Sequence, residues 1–318
     1  MKNFATVIGA SVNETCQFLK AGEVVGIPTE TVYGLAANAL NENAVFKIFS
    51  VKNRPHFDPL IVHVSSVKEI EKYVEHIPIT AKLLMQKFMP GPLTVLLSKK
   101  NIIPDLVTSG LDTVAVRVPK HPLALGLLQQ LDFPLAAPSA NPFGYISPTN
   151  AQHVYDQLNG KIPYILDGGN TNVGVESTII GFENDEVVVH RIGGLPIEEI
   201  ENLVGKVRLN VNESSNPKAP GTLKSHYAPK KKLTVIEGNN FLKEDAGVIA
   251  FDKIIEGVKR ENQILLSEKG DLNEAAKNLF AAMRHLDESN VQEIVAVKFP
   301  EEGLGRAIND RLKRAAAL

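Results

Sequence analysis

The sequence predicts an α/β protein: a mixed-sheet domain, a polar linker and a small Rossmann-like α/β domain. Three observations lead there. Before Val204 the apolar runs are short, strands outnumber helices, and strands come in succession, which favours a mixed sheet over strict βαβ alternation. After Val204 the composition changes: Lys206 to Lys232 contains NVNESSNPKAPGTLKSHYAPKKK, polar and rich in Pro, Gly and Ser, as linkers are. Beyond it, strands and helices alternate at short intervals. The expected division is residues 1–205, a linker at 206–231, and a second domain at 232–318 of about 85 residues, marginal alone by surface-to-volume reasoning.

The elements follow in order. Ser11 and Glu14 have capping-box spacing and Gly22 follows as a helix stop. A strand from Glu23 to Ile27 leads into a Thr-rich turn. Asn41 caps the next helix, where Val45, Ile48 and Phe49 share one face. Pro59 to Val64 reads as a strand, Ser66 and Glu69 as a second capping box, and Ile79 to Phe88 as a helix. Further strands are expected at Leu93–Leu97, Thr113–Val118, Pro134–Ala137, Ile162–Leu166, Val175–Ile180 and Val187–Ile192. In the second domain the strands are Leu233–Ile236, Gly247–Phe251, Ile264–Leu266 and Ile294–Val297, with helices Leu272–Leu286 and Leu304–Ala315.

Composition narrows the function. The 318 residues are 44% apolar, an ordinary value for a globular protein, and the net charge of −2 gives no general attraction for nucleic acid or acidic membrane. Any phosphate chemistry must use local positive charge. The single cysteine, Cys16, excludes a disulfide framework and a thiolate zinc site, and it reads as a packing residue. MKNFATVIGASVNET has no long apolar core, so no secretory signal is expected, and no segment approaches the ~20 apolar residues of a membrane helix. A cytoplasmic protein is the expectation.

The stretch from Gly26 to His63, GIPTETVYGLAANALNENAVFKIFSVKNRPHFDPLIVH, gathers threonines, a tyrosine, Lys52, Arg54 and His63 at the ends of apolar runs. Small hydroxyls and fixed cations at buried strand ends suit an anionic ligand. There is no Gly-x-x-x-x-Gly-Lys-Ser/Thr loop, no convincing Gly-x-Gly-x-x-Gly and no kinase signature, so a nucleotide would be held by scattered side chains. Arg117 in AVRVP and Arg191 in VVVHRIGG interrupt apolar strands, and each either faces water from an edge or points into a polar cleft. APSANPFGYISPTNAQHV bears Ser139, Asn141 and Ser147 on a proline-stiffened turn, which is either a capped loop or a set of phosphate contacts. Ser177 and Thr178 in GVESTII are cross-strand filler or ligand contacts. His226-Tyr227-Ala228-Pro229 in the linker packs on a surface or closes over a ligand. No Gly-x-Ser-x-Gly elbow occurs, the histidines lack metal-ligand spacing, and Asp167-Gly168-Gly169 reads as a tight turn.

Taken together PTETVYGL, KNRP with PLIVHV, VAVRVP, PSAN with its following SPT, GVESTII, HRIGG, HYAP and the closing GLGRAINDRLKRAA resemble the Sua5/YrdC/YciO family, in its long two-domain form. The resemblance spans essentially the whole chain. It implies a YrdC-like twisted domain with a positively charged cavity, followed by a Sua5 domain. The reaction it implies is that of a nucleotidyltransferase joining L-threonine, bicarbonate (or CO₂) and ATP into threonylcarbamoyl-AMP and pyrophosphate. Mg²⁺ is expected with ATP. The product would pass to a tRNA threonylcarbamoyl transferase complex for the t⁶A modification, with weak or indirect tRNA contact.

By motif position, the resemblance assigns Thr31, His63, Arg117, Ala137 and Ser177 to the threonine moiety. It assigns Lys52, Arg54, Asp58, Thr113, Ser139, Ser147, Arg191 and Tyr227 to the nucleotide, with Lys52 and Arg54 at the phosphates. The sequence departs from the family in two places. Asp58 stands where the family often has Asn, and PGTLKSHYAP replaces a common PGMKYRHYAP. An RNA-binding module competes with this reading, but the aromatic content is 6% and no basic residues interleave with aromatics. A carbamoyl-phosphate-using relative would sit beside accessory domains absent from this sequence.

Overall fold

The computed structural model describes residues 4–184, 186–210, 220, 225–237 and 243–317. Half of the 206–231 linker, residues 211–219 and 221–224, lies outside the described residues. The first sheet is built from β1 (Val7–Gly9), β2 (Val25–Ile27), β3 (Gly34–Asn38), β4 (Ile61–His63), β5 (Leu93–Ser98), β6 (Thr113–Arg117), β7 (Leu135–Ala136), β8 (Tyr164–Leu166), β9 (Thr178–Glu183), β10 (Glu186–Arg191) and β11 (Arg208–Leu209). Their spatial order is β1-β8-β2-β3-β7-β4-β6-β5-β9-β10-β11, with parallel and antiparallel pairs intermixed. This is a mixed sheet. It starts one strand earlier than the sequence suggests and takes β11 from the expected linker.

Helices α1 (Val12–Lys20), α2 (Glu42–Lys52) and α3 (Val67–Ile70) begin at Ser11, Asn41 and Ser66, whose side chains accept from the amides of Glu14, Ala44 and Glu69. Four more belong to the same unit: α4 (Ile79–Phe88), α5 (Asp105–Thr108), α6 (Pro122–Gln129) and α7 (Ala151–Leu158). Then α8 (Ile197–Val204) follows HRIGG. Val45, Ile48 and Phe49 are buried, as their shared face requires, in a core with Leu35, Val62, Val95 and Val116. Cys16 packs in a second apolar cluster with Leu19, Val25 and Leu127.

The second sheet is parallel throughout, in the order β12-β15-β13-β14, from β12 (Leu233–Ile236), β13 (Gly247–Ala250), β14 (Gln263–Leu265) and β15 (Ile294–Val297). Helices α9 (Leu272–Glu288) and α10 (Gly303–Ala315) follow β14 and β15. Its core does not end at its own boundary. Val32, Ile146 and Val175 of the first unit pack in one cluster with Leu279, Phe280 and Met283 of α9. Tyr145 Oη donates to Asp287 at 2.6 Å, and Arg284 donates to the carbonyls of Ile146 and Ser147.

Two motif glycines explain themselves by close approach. A Cβ on Gly174, which has φ +80°, would lie 2.4 Å from the Lys277 Cα of α9. On Gly193 it would lie 2.3 Å from the Glu176 carbonyl oxygen, so HRIGG can press against GVESTII only without a side chain there.

Candidate active site

The cavity lies where the ends of several sheet strands meet the turn that follows β2 and the linker segment around Tyr227. Thr29, Thr31, Arg54, His63, Arg117, Ala137, Ser139, Glu176, Arg191, His226 and Tyr227 line it.

The turn Thr29–Val32 is held by its own hydroxyls. Thr29 Oγ1 donates to the Val32 carbonyl at 2.6 Å, accepts from the amides of Thr31 and Val32, and lies 2.8 Å from Thr31 Oγ1. Thr31 Oγ1 in turn accepts from Arg117 Nη2 at 2.9 Å. Parallel pairing of β4 with β6 sets His63 opposite Arg117, so both side chains leave the same face of the sheet. Arg117 Nη2 also donates to Glu30 Oε1 at 2.8 Å and Nε donates to the Gly91 carbonyl at 3.2 Å. Among the described residues Nη1 makes no hydrogen bond, and Arg117 is one of the residues that line the cavity. His63 is buried with Nδ1 unpartnered among the described residues; burial, and then Arg117, lower its pKa to about 3, so the ring is neutral.

Arg54 owes its direction to the end of α2. Asn53 adopts a left-handed conformation, φ 52°, and the Arg54 amide caps back to the Phe49 carbonyl at 3.0 Å. The guanidinium pairs with Asp58 at 2.9 Å and donates to the carbonyls of Asp58 and Pro59. Lys52 sits behind the wall rather than in it. Its Nζ donates to the carbonyls of Ser139 and Asn141 and so shapes the PSAN turn. Burial, then Arg54, push its pKa well below the usual lysine value.

Arg191 is aimed by a bulge. The register between β9 and β10 shifts between Val189 and Arg191. From there it donates to the Ser177 carbonyl and hydroxyl and to the Pro220 carbonyl of the linker. Burial lowers its pKa to about 10, which leaves it cationic at neutral pH. Ser177 Oγ also lies 2.7 Å from Thr94 Oγ1. Ser147 Oγ donates to Glu176 Oε1 at 2.5 Å. Burial alone would raise the Glu176 pKa, but Arg311 and Arg191 outweigh it and keep the carboxylate ionised.

Tyr227 arrives from the linker in a left-handed conformation, φ 65°, rare for a residue with a side chain and here held by complete burial. Its ring stacks near Phe280 of α9 at 5.5 Å and lies 4.1 Å from the His226 ring. Its hydroxyl has no partner among the described residues.

Of the residues singled out by sequence, Thr31, Arg54, His63, Arg117, Ala137, Ser139, Arg191 and Tyr227 line this one cavity. Lys52, Asp58, Ser147 and Ser177 contact its lining residues from behind. Thr113 is not brought in: it pairs with Ser98 at the other end of β6 from Arg117. Sequence reasoning overlooked Glu30, Glu176 and Arg311. All three stand inside quoted motifs, PTETVYGL, GVESTII and GLGRAINDRLKRAA, and a carboxylate in the apolar run GVESTII was the available signal. The arrangement presents three guanidinium groups, neutral imidazoles and hydroxyls to one hollow, which suits a carboxylate and a polyphosphate held side by side.

Comparison with known proteins agrees. The Sua5/YciO/YrdC family model, described as telomere recombination, matches residues 17–193. A second, described as the C-terminal domain of threonylcarbamoyl-AMP synthase, matches residues 195–317. The threonylcarbamoyl-AMP synthase of Pyrococcus abyssi is 42% identical over 316 residues, covering 94% of this chain and 92% of its own. That of Bacillus subtilis is 39% identical over 320 residues, covering 96% and 92%. The crystal structure of P. abyssi Sua5 complexed with L-threonine has a TM-score of 0.89 at 39% identity, covering 98% of this chain and 97% of that one. Cavity, topology and both sequence matches lead to one statement: the chain belongs to the Sua5/YrdC/YciO family and carries that family's C-terminal domain.

Proposed function

We propose that this chain is an L-threonylcarbamoyladenylate synthase, a nucleotidyltransferase that supplies the t⁶A modification of tRNA. The amine of L-threonine captures bicarbonate-derived CO₂ as a carbamate. A carbamate oxygen attacks the α-phosphorus of ATP, the bond to the β-phosphate bridging oxygen breaks, and pyrophosphate leaves. No covalent nucleophile from the protein is needed; the work is to hold two anions together and disperse charge on the departing pyrophosphate.

In this reading residues 1–205 are the catalytic domain, 206–231 bring the lid, and 232–318 back it. Arg117, through Nη1, binds the threonine carboxylate beside Thr31, His63, Ala137 and Ser177. Arg54 and Arg191 take the phosphates beside Ser139, with Lys52 and Ser147 supporting them from behind and Tyr227 closing the nucleotide side. Thr113, at the far end of its strand, lies outside this lining. Neutral His63 is suited to stand next to Arg117 without repelling it, and enclosure protects an adenylate that is labile in water. The carboxylates nearby are already engaged, Asp58 with Arg54, Glu30 with Arg117 and Glu176 with Arg311, and no group of three metal-ligating side chains occurs among the described residues. These residues do not fit a dedicated magnesium site.

The observation that supports this reading most is the convergence of Arg54, Arg117 and Arg191, far apart in the chain, on the lining of a single buried hollow. The test is pyrophosphate release from ATP with each reactant omitted in turn. Release is expected only when threonine, bicarbonate and ATP are all present; release that ignores threonine refutes the assignment.

A further inference from the structure

Resting on the reading above, we propose that Arg311 of α10 is a positioning residue for the nucleotide half of the site, neutralising Glu176 and seating Tyr227 from below. Arg311 is fully buried. Its Nε lies 2.8 Å from Glu176 Oε2, its Nη1 lies 2.5 Å from Asp310, and its guanidinium carbon lies 5.1 Å from the centre of the Tyr227 ring. Nη2 has no partner among the described residues. One side chain of the second unit thus touches both a carboxylate and an aromatic residue that line the cavity.

Charge gives the reason. Glu176 faces the same hollow as Arg54 and Arg191, and an uncompensated buried carboxylate there would repel a polyphosphate. Arg311 is its ion-pair partner among the described residues, while Asp310 has a second partner in Arg314. Holding the two units together does not need this arginine. Tyr145 with Asp287, Arg284 with the carbonyls of Ile146 and Ser147, and the shared apolar cluster already do that. Arg311 therefore acts on nucleotide affinity, through Glu176, more than on docking.

The experiment uses the full chain and measures ATP and L-threonine dissociation constants by calorimetry, thermal melting, and synthesis. Arg311→Met is expected to weaken ATP binding about tenfold or more while threonine binding stays within about twofold. The double variant Glu176→Gln/Arg311→Met, which removes the orphaned charge, is expected to recover most of that loss. Arg311→Lys, keeping the charge, is expected to hold ATP within about threefold, and it carries the comparison if Arg311→Met does not fold. The proposal is overturned by wild-type ATP affinity in Arg311→Met, by equal losses of ATP and threonine, by a double variant no better than the single, or by a tenfold loss in Arg311→Lys. A wild-type chain that binds ATP yet makes no adenylate would sink the functional reading alone, leaving these binding comparisons readable.

Discussion

Replacing Arg117 by lysine isolates the contact on which the proposed threonine site depends. Alanine would be a poor choice, because Glu30, 6% exposed at its side chain, would lose its 2.8 Å ion pair and the fold would suffer. Lysine keeps a cation for Glu30 and donors for Thr31. In the native arrangement Nε and Nη2 are committed to Gly91, Glu30 and Thr31, which leaves Nη1 for a ligand carboxylate. An ammonium drawn to Glu30 and Thr31 gives up that one charge-assisted bond, worth about 1.5–3 kcal/mol. The threonine dissociation constant should then rise roughly 10- to 150-fold, read by calorimetry, with melting temperature little changed. Pyrophosphate release at saturating ATP should show the same factor in KM for threonine. Threonine affinity equal to wild type in a folded Arg117→Lys protein would refute the assignment of the carboxylate to this residue.

Three further outcomes are expected. Arg54→Lys, which retains a partner for Asp58, should raise KM for ATP about tenfold and leave threonine binding unchanged; steady-state kinetics with calorimetry decide it. Ending the chain at Gly205 should lower synthesis far more than threonine binding, because Tyr227, the proposed lid residue, is lost and Thr31, His63 and Arg117 remain; equal activity of the shortened form contradicts the proposed lid. Acid should destabilise the protein through its neutral histidines. His63 and His153 have pKa values lowered to about 3 and about 4, both first by burial, and His226 is lowered well below its ordinary value, first by burial and then by Arg54. The unfolded chain takes up those protons first, so their stabilisation is intact above about pH 6.5 and is lost as pH falls toward 3, by at most about 1.4 kcal/mol per pH unit for each group. Melting curves from pH 7 to pH 5 should show the decline, and His63→Asn should flatten it.

Much of this fold was legible because local signals and tertiary demands coincided. Ser11, Asn41 and Ser66 cap helices in the structure as their spacing implies. What escaped notice lacked such signals. Pro122–Gln129, PLALGLLQ, begins without a side-chain cap and has little polar face, so periodicity does not separate it from a buried strand. Gly34–Asn38, GLAAN, has no β-branched residue; pairing with β2 and β7 makes it a strand. The GVESTII strand starts at Thr178, later than its apolar pattern suggests, since Glu176 and Ser177 turn toward the cavity contacts instead. In the site, cations at strand ends were visible as residue types. Their restraints were not, because Glu30 meets Arg117 and Arg311 meets Glu176 across long sequence separations that no local pattern encodes.

A structure of the full chain with L-threonine and a non-hydrolysable ATP analogue tests the central claim most directly. Both ligands should occupy the one hollow, the carboxylate at Arg117 and the phosphates at Arg54 and Arg191, with Tyr227 over the nucleotide. Ligands bound on separate surfaces, or phosphates remote from both arginines, would contradict it.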